Sequence, residues 1–271
     1  MKTVAIWSGA GTLPYFTAKN AILAGNRVVI IAFDGLSDVK LLETTGAKIY
    51  KVGLLKLGKN FQILKKERVN ELVMIGKFYK RALFYGGFDI TGLKLFFNLP
   101  DLRDMTLFKT LESKLKDMGI KVVSQIKYLN DFIAKEGVLT YRKPSSLEMK
   151  DILYGFKVAK KLASLDIGQT VVVKKGCVVA LEAMEGTDET ILRINKKESK
   201  DAVIVKVARK NQDFRFDLPG IGITTIENMH KKGIKTIAVE KDKCLLADKD
   251  ELIKRANKYK LTVIGIKGEN R

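Results

Sequence analysis

The feature that most constrains the fold is a series of short apolar segments in the first half of the chain, separated by stretches of helical periodicity. Residues 3–7, 28–33 and 71–75 are almost uniformly apolar. Alternating apolar and polar residues would mark a strand with one face in water, whereas uniform apolarity is typical of parallel strands covered on both faces. The pattern therefore predicts an α/β fold with a Rossmann-like parallel sheet and helices on both of its sides.

A polar stretch at residues 135–147 (KEGVLTYRKPSSL) interrupts this pattern. Its proline and serines are typical of a linker, and 271 residues are comfortable for two domains. We therefore predict a Rossmann-like domain over residues 1–137 and a C-terminal α/β domain over residues 138–271. In the second domain, Lys174-Lys175-Gly176 joins two apolar segments in the manner of a hairpin, which predicts a mixed sheet.

The chain carries 50 Lys and Arg residues against 30 Asp and Glu, a formal net charge of +20. Such a charge attracts polyanions, but only 10 of the 50 basic residues are Arg, and the lysines are spread along the whole sequence. Proteins that read nucleic acids favour clustered Arg, because its planar fork binds phosphates bidentately. We therefore favour a solvated lysine-rich surface, keep attraction to anionic lipid or to a phosphorylated substrate as an alternative, and expect no nucleic-acid partner.

The scarcity of histidine and cysteine excludes several kinds of site. His230 is the one histidine and lies in a polar stretch, whereas a zinc site needs several imidazoles and a Ser-His-Asp triad needs a firmly oriented one. We expect it to face solvent on a helix. Cys177 and Cys244 lack metal-ligand spacing and are expected to be reduced core thiols of a cytoplasmic protein. Catalysis would then depend on carboxylates, Lys, Arg and a hard cation.

The glycine-rich stretch at residues 8–14 (SGAGTLP) follows the first predicted strand and opens a helix. Glycines there let the backbone approach a phosphate, which a helix N-terminus also favours. Asp34, at the end of the second strand, stands where a dinucleotide fold keeps its ribose-binding acid. Pro14, however, replaces the third glycine of that fingerprint, which weakens a nicotinamide site. A loop for a nucleotide or sugar phosphate, a plain tight turn and a nicotinamide site all stay open.

Residues 211–219 (NQDFRFDLP) are the most informative stretch. If they form a strand, Asp213, Arg215 and Asp217 share one face, and the intervening phenylalanines point into a core. Carboxylates suit Mg²⁺, which keeps waters and bridges to substrate phosphates, and an Arg between them suits the phosphate itself. A solvated ladder of ion pairs on an exposed sheet face explains the same pattern equally well.

Further charged residues lie in the second half of the chain. Glu182 ends an apolar strand, and Thr187 is placed to cap a helix that Asp188 begins. These acids are therefore either site residues or capping charges. Lys206 stands inside an otherwise apolar strand, where it needs an anionic partner or a route to solvent.

Taken together, these stretches resemble the UDP-2,3-diacylglucosamine pyrophosphatase family of the lipid A pathway, of the type that lacks the metallophosphatase motif. The resemblance covers nearly the whole chain in order: SGAGTLP at 8–14, Gly76-Lys77, LDIGQ at 165–169, EAMEGTDETILR at 182–193, Lys206 and QDFRFDLPGIGITTI at 212–226. Each piece alone is weak. The combination of LDIGQ, EGTD and RxDLPxIG is highly specific.

The resemblance implies Mg²⁺-dependent hydrolysis of UDP-2,3-diacylglucosamine to UMP and 2,3-diacylglucosamine 1-phosphate. It places the essential aspartate directly before Leu-Pro, at Asp217, and we expect Asp213 and Asp188 to join it in holding Mg²⁺. It implies a homodimer that acts on a lipid-linked UDP-sugar from the cytoplasm, peripheral to the inner membrane. The residues expected to bind substrate are Gly9, Gly11, Thr12, Leu13, Pro14, Lys77, Gln169, Thr187, Lys206, Gln212 and Arg215.

Two other functions stay open on the sequence. The glycine-rich stretch together with Asp34 keeps a nicotinamide-dependent oxidoreductase in view. The net charge of +20 keeps a basic nucleic-acid-binding protein in view, although no aromatic residues are interleaved with an Arg-rich face as a single-strand platform would need.

Overall fold

A computed structural model describes residues 1–78, 87–101 and 104–268 of the chain. They form two compact units. The first comprises Met1–Asn130 and the short segment Phe214–Phe216, and the second comprises Asp131–Asp213 and Asp217–Arg271. The chain thus passes from the first unit to the second after residue 130, whereas the sequence predicts the boundary after residue 137.

The first unit is built on a five-stranded parallel sheet in the order β3-β2-β1-β4-β5. The central strands are buried almost throughout, with Ile6, Ile30 and Leu72 fully enclosed, which explains their uniform apolarity. The predicted Rossmann-like sheet is confirmed. Its elements are β1 (Thr3–Ser8), α1 (Leu13–Leu23), β2 (Arg27–Phe33), α2 (Val39–Glu43), β3 (Lys48–Val52), α3 (Leu57–Lys66), β4 (Glu71–Ile75), α4 (Ile90–Phe97), α5 (Asp104–Asp117) and β5 (Lys121–Val122).

The position of β1 sets where this sheet can bind a ligand. β1 lies between β2 and β4, so the chain that leaves β1 through α1 moves to one side while β4 stands on the other. At such a switch point the connections diverge and leave a crevice at the carboxyl ends of the strands. Residues 8–14, which we call the glycine loop, and the residues after β4 both lie at that end.

The second unit is built on a six-stranded mixed sheet in the order β6-β13-β11-β9-β7-β8. β9, β11 and β13 are parallel, whereas β6, β7 and β8 pair antiparallel with their neighbours, so the predicted mixed α/β architecture is confirmed. The elements are β6 (Gly137–Val138), α6 (Ser146–Ser164), β7 (Thr170–Lys174), β8 (Cys177–Leu181), α7 (Thr187–Leu192), α8 (Lys196–Ser199), β9 (Val203–Lys206), β10 (Gly220–Ile221), α9 (Ile223–Lys232), β11 (Thr236–Glu240), β12 (Leu245–Leu246), α10 (Lys249–Lys258) and β13 (Thr262–Ile266).

The predicted hairpin joins β7 to β8. Lys175 and Gly176 occupy its tip with φ angles of 50° and 75°. Two successive residues in the left-handed region give the kind of two-residue turn that matches strand twist. The carboxylate of Asp151 on α6 accepts from both of their amides, at 2.8 and 2.7 Å, and fixes the turn.

The amino end of α6 is stabilised by a capping box formed by Ser145 and Glu148. Glu148 also accepts from Nη2 of Arg142 at both of its carboxylate oxygens, at 2.9 and 3.0 Å. The same guanidinium donates to the hydroxyls of Thr236 and Thr262 at 3.0 and 2.6 Å, and those residues begin β11 and β13. The Arg142–Glu148 pair therefore connects the start of α6 to the amino-terminal ends of β11 and β13.

The expectations for histidine and cysteine are met only in part. His230 is exposed on α9 and stacks on the ring of Tyr259 with centroids 3.9 Å apart. Cys244 is fully buried, and burial raises the pKa of its thiol to about 12. Cys177 is exposed at the start of β8, so its expected place in the core is wrong. Among the described residues, none of the helices combines the length and apolarity that crossing a membrane requires.

Candidate functional site

The glycine loop is fastened to the residues that follow β4. Ala10 and Lys77 exchange two backbone hydrogen bonds of 3.0 and 2.9 Å. A β-carbon on Gly9 would lie 2.7 Å from the carbonyl oxygen of Lys77, and one on Gly76 would lie 2.7 Å from the carbonyl carbon of Gly9. The close approach of these two loops therefore explains both glycines, and it brings Lys77 beside the glycine loop.

The glycine loop leads directly into α1. Gly11 has a φ of +99°, a conformation that favours glycine. Leu13 begins the helix, and Pro14 fits its first turn, where no backbone donor is needed. That turn carries no acidic side chain to offset the positive end of the helix dipole. The arrangement suits an anion such as a phosphate, whereas Asp34, the residue expected of a dinucleotide site, is exposed after β2.

Residues 212–217 do not form a strand, so the predicted sharing of one face by Asp213, Arg215 and Asp217 is wrong. The chain turns here, and the amide of Asp217 donates to the carbonyl of Asp213 at 3.0 Å. The physical reason is local: the Gln212 side chain bonds backbone groups of its own segment, which competes with pairing in a sheet.

Asp217 is held by two residues of the second unit. Gln212 Nε2 donates to Asp217 Oδ2 at 2.8 Å and to the Asp217 carbonyl at 3.0 Å. Nη1 of Arg209 lies 3.3 Å from the same Oδ2, and the Arg209 amide donates to Gln212 Oε1 at 3.1 Å. Among the described residues, the side-chain contacts to the carboxylate all use Oδ2, and the side chain is 44% exposed. Asp217 is thus oriented with Oδ1 open to water, a cation or a substrate.

Arg209 is a member of this cluster that the sequence analysis did not single out. It begins a run of polar residues, 209–213, three residues after Lys206. That polar run was the feature of the sequence that could have marked Arg209 as a site residue. Its Nε lies 2.6 Å from Oδ1 of Asp166, a residue of the LDIGQ motif that adopts a φ of +57°. Arg209 therefore connects that motif to Asp217.

Arg215 belongs to the first unit with the segment Phe214–Phe216. Its guanidinium forms an ion pair with Glu112 on α5 and lies over the ring of Phe108, 5.3 Å from the centroid. Phe216 stacks on Phe108 at 4.9 Å and packs against the core of the sheet. Although only one residue separates Arg215 from Asp217, their side chains are fixed by different units.

Lys206, the lysine within β9, has the anionic environment that its burial requires. Its ammonium donates to the hydroxyl of Thr187, which donates to Glu182 Oε1 at 2.9 Å. The amide of Gln169 donates to Glu182 Oε2 at 3.0 Å. Burial pushes the pKa of Glu182 upward, but Lys206 and hydrogen bonds from Thr170, Gln169 and Thr187 outweigh it and hold that pKa below its usual range. Glu182 is therefore ionised at neutral pH.

The LDIGQ motif packs on this network. A β-carbon on Gly168 would lie 2.1 Å from the Glu182 carbonyl oxygen, so the position excludes every larger residue. The side-chain oxygen Oε1 of Gln169 is buried and has no hydrogen-bond partner among the described residues. A buried acceptor without a donor is costly, and a bound substrate group would satisfy it. Thr187 takes part in this network from the first residue of α7, whose cap position is occupied by Gly186, so its predicted capping role is wrong.

The expected metal ligands are not gathered into one carboxylate cluster. Asp188, on α7, accepts a hydrogen bond from the hydroxyl of Thr225 at 2.8 Å, whereas Asp217 is bound by Gln212 and Arg209. Within residues 1–78, 87–101 and 104–268, no group of three or more His, Cys, Asp or Glu side chains is placed to hold a metal ion. A cation at Asp217 would therefore need oxygens from substrate and water, which is how Mg²⁺ is often bound at phosphates.

Comparison with known proteins covers the whole chain. The model of the LpxI N-terminal domain matches residues 3–132, and that of the LpxI C-terminal domain matches residues 135–264. The chain is 27% identical over 285 residues to the UDP-2,3-diacylglucosamine pyrophosphatase LpxI of Caulobacter vibrioides, with 100% of both chains covered. A solved UDP-glucose-4-epimerase from Stenotrophomonas maltophila is 15% identical over 44% of this chain and 35% of its own, with a TM-score of 0.31.

Proposed function

Because the chain belongs to the LpxI family, with both family domains matched, we propose that it hydrolyses the pyrophosphate bond of UDP-2,3-diacylglucosamine to UMP and 2,3-diacylglucosamine 1-phosphate. The observation that carries the proposal is the geometry of Asp217, which is oriented through Oδ2 by Gln212 and Arg209 while Oδ1 stays open. An oriented, solvent-accessible carboxylate is what water activation and cation binding at a diphosphate require.

In the proposed reaction, a water oxygen forms a bond to one phosphorus and the bridging P–O bond breaks, so that UMP and the sugar 1-phosphate separate. Asp217 orients that water through Oδ1 and accepts its proton. Arg209 stays beside the carboxylate and offsets the negative charge that the site gathers. Arg215 binds a phosphate oxygen, for which its planar fork is well shaped.

We propose Mg²⁺ as the cofactor, held chiefly by Asp217 with Asp213 beside it in the turn. The donor set fits a hard cation, because carboxylate oxygens and waters are the ligands that Mg²⁺ prefers. When bound, the ion would polarise phosphoryl oxygens and lower the pKa of a coordinated water. Asp188 accepts from Thr225 and is not gathered with Asp217 and Asp213 among the described residues, so the remaining ligands of the ion would come from substrate and water.

The first unit is assigned to the phosphate-bearing part of the substrate. The glycine loop, the amino end of α1 and the exposed Lys77 stand at the switch point of the sheet. In the second unit, Gln169 Oε1, which lacks a donor in the part of the chain that the structure describes, would accept from a donor on the substrate. The assignment of Gln169 is supported by the cost of leaving a buried acceptor without a donor.

We further propose that the protein contacts an anionic membrane from the cytoplasmic side, through the outer face of α4. Ile90, Leu93 and Phe97 are 76%, 44% and 75% exposed, and with Lys94 they follow one helical face. Lys59, on the neighbouring α3, is exposed as well, and its amide donates to the Asp89 carboxylate at the start of α4. An apolar stripe with basic side chains around it suits the surface of a bilayer that holds a diacylated substrate. A homodimer is proposed from the family resemblance.

The experiment that tests the function is incubation of the full chain with UDP-2,3-diacylglucosamine, with and without Mg²⁺, while UMP is measured. Release of UMP that depends on Mg²⁺ supports the proposal, and its absence under both conditions removes it. Saturable NADH binding by fluorescence titration would favour the oxidoreductase instead. Binding to nucleic acid that weakens steeply with salt, without hydrolysis, would favour the nucleic-acid alternative. Sedimentation velocity distinguishes monomer from dimer.

A further inference from the structure

The chain leaves β9 through a residue whose two backbone groups are both bound by one ion pair, formed by the partly buried Lys160 and the buried Glu240. The amide of Ala208 donates to Oε2 of Glu240 at 2.9 Å, and the ammonium of Lys160 donates to the Ala208 carbonyl at 2.8 Å. Lys160 and Glu240 contact each other at 3.0 and 3.2 Å. Ala208 is fully buried and Glu240 is 6% exposed. The peptide groups on either side of this residue are therefore fixed by charged partners.

These partners come from separate elements of the second unit. Lys160 lies in α6, Glu240 is the last residue of β11, and Ala208 stands two residues beyond the end of β9. Neighbouring β9 and β11 are parallel, so both of their carboxyl ends reach the same edge of the sheet. Lys243 adds a second cation at 2.9 Å from Glu240 Oε1. The Lys160–Glu240 pair thus lies at the carboxyl ends of β9 and β11, where the chain leaves β9 on its way to Asp217.

Ala208 is joined by its peptide bond to Arg209, and hydrogen bonds connect Arg209 to Asp217. Arg209, the next residue, donates its amide to Gln212 and places its guanidinium 3.3 Å from Asp217 Oδ2. Gln212 then donates to the same Oδ2 at 2.8 Å. A displacement of Ala208 would move the backbone of Arg209 and with it both groups that orient the carboxylate.

We infer that Lys160 and Glu240 are positioning residues for the proposed hydrolysis: their ion pair holds Ala208 so that Arg209 and Gln212 present Asp217 in one orientation. This inference rests on the proposed function for its kinetic part. Hydrogen bonds to charged groups that are shielded from water are strong. Those from Lys160 and to Glu240 can therefore fix the backbone at the start of the connection between β9 and β10. Catalysis is sensitive to such placement, since a shift of about 1 Å can cost about 100-fold in rate.

The test compares Lys160→Met with Arg142→Met in the full chain. Both changes remove the cation of a largely buried ion pair in the second unit and keep the aliphatic stem. Arg142 pairs with Glu148 at the amino-terminal end of the same sheet, away from the exit of β9. The measurements are kcat and KM for UMP release, the Tm, and amide hydrogen exchange over residues 203–217.

We expect Lys160→Met to lower kcat about 10- to 100-fold with little change in KM, and to speed exchange over residues 203–217. Arg142→Met should lower Tm to a similar extent and keep the wild-type kcat. An unchanged kcat in Lys160→Met, or an equal loss in Arg142→Met, overturns the inference. If the wild type releases no UMP, the proposed function fails by itself, and hydrogen exchange still decides whether Lys160 fixes the segment: equal exchange in the two variants refutes it.

Discussion

Gly9 and Gly76 touch backbone to backbone, because the loops after β1 and β4 approach so closely that neither position has room for a β-carbon. The contact is made at the switch point of the first sheet. It places the glycine loop and Lys77 side by side, so the shape of the proposed phosphate site depends on two residues that have no side chain.

Gly9→Ala is expected to destabilise the protein by about 1–3 kcal/mol, as overpacking against rigid backbone does. The new β-carbon would meet the Lys77 carbonyl oxygen at 2.7 Å. Gly53→Ala is the matched control, since its β-carbon would meet only the flexible side chain of Lys56, at 3.2 Å. Urea denaturation measures both. Equal free energies of unfolding for the two variants would contradict the explanation.

Asp217→Asn is expected to reduce UMP release by about 1,000-fold or more, because the amide can neither take a proton from water nor bind a cation as a carboxylate does. Stability should change little at this half-exposed site. Asp166→Asn is the control, since Asp166 is 78% exposed and pairs with the same Arg209. Comparable activity in the two variants would show that Asp217 has no special role.

Lys206→Met is expected to destabilise the second unit by about 3–5 kcal/mol, because it leaves the Glu182 carboxylate buried without its cation. Adding Glu182→Gln to that variant should recover part of the loss, since the uncompensated charge is then absent. A double-mutant cycle by urea denaturation measures the coupling. Strictly additive losses would mean that the two residues do not interact.

Acid should weaken the first unit through Glu67. Hydrogen bonds from Lys48 and Tyr50, with Arg27 adding, lower the pKa of Glu67 to about 2 from about 4.5. A carboxyl whose pKa is lowered in the folded state stabilises it above the unfolded pKa, and that stability is lost as the pH falls from about 4.5 to about 2. Glu67→Gln should therefore flatten the fall in unfolding free energy between about pH 5 and pH 2. Glu43→Gln, at an exposed residue 4.0 Å from Lys51, should keep the wild-type slope.

Replacing Ile90, Leu93 and Phe97 together by Ser should weaken binding to vesicles that contain anionic lipid by at least about 10-fold, since each large apolar side chain contributes about 1.5–3 kcal/mol when buried. Leu23→Ser is the control, because Leu23 is 76% exposed on α1, outside this face. Co-sedimentation with vesicles measures both variants. Binding that survives the triple change would place the membrane contact elsewhere or remove it.

The sequence by itself determined the architecture and singled out Asp217 as the proposed catalytic residue. Strands covered on both faces need apolar side chains at successive positions, so residues 28–33 could only read as a buried strand. Lys175-Gly176 supplied the turn that joins β7 to β8, since glycine tolerates the left-handed conformation. The RxDLP motif marked Asp217 without any knowledge of its surroundings.

Only the tertiary structure decided which groups surround that aspartate. Residues 212–217 alternate as a strand does, but the Gln212 side chain takes up backbone groups of the segment and makes a turn instead. Lys206 and Glu182 interact through Thr187, because the sheet order places the strands β9 and β8 on the two sides of β7. Glu240 accepts from the Ala208 amide because β11 pairs with β9. Such partners are set by strand order and by close approach in space, and neither is encoded in composition, periodicity or spacing along the chain.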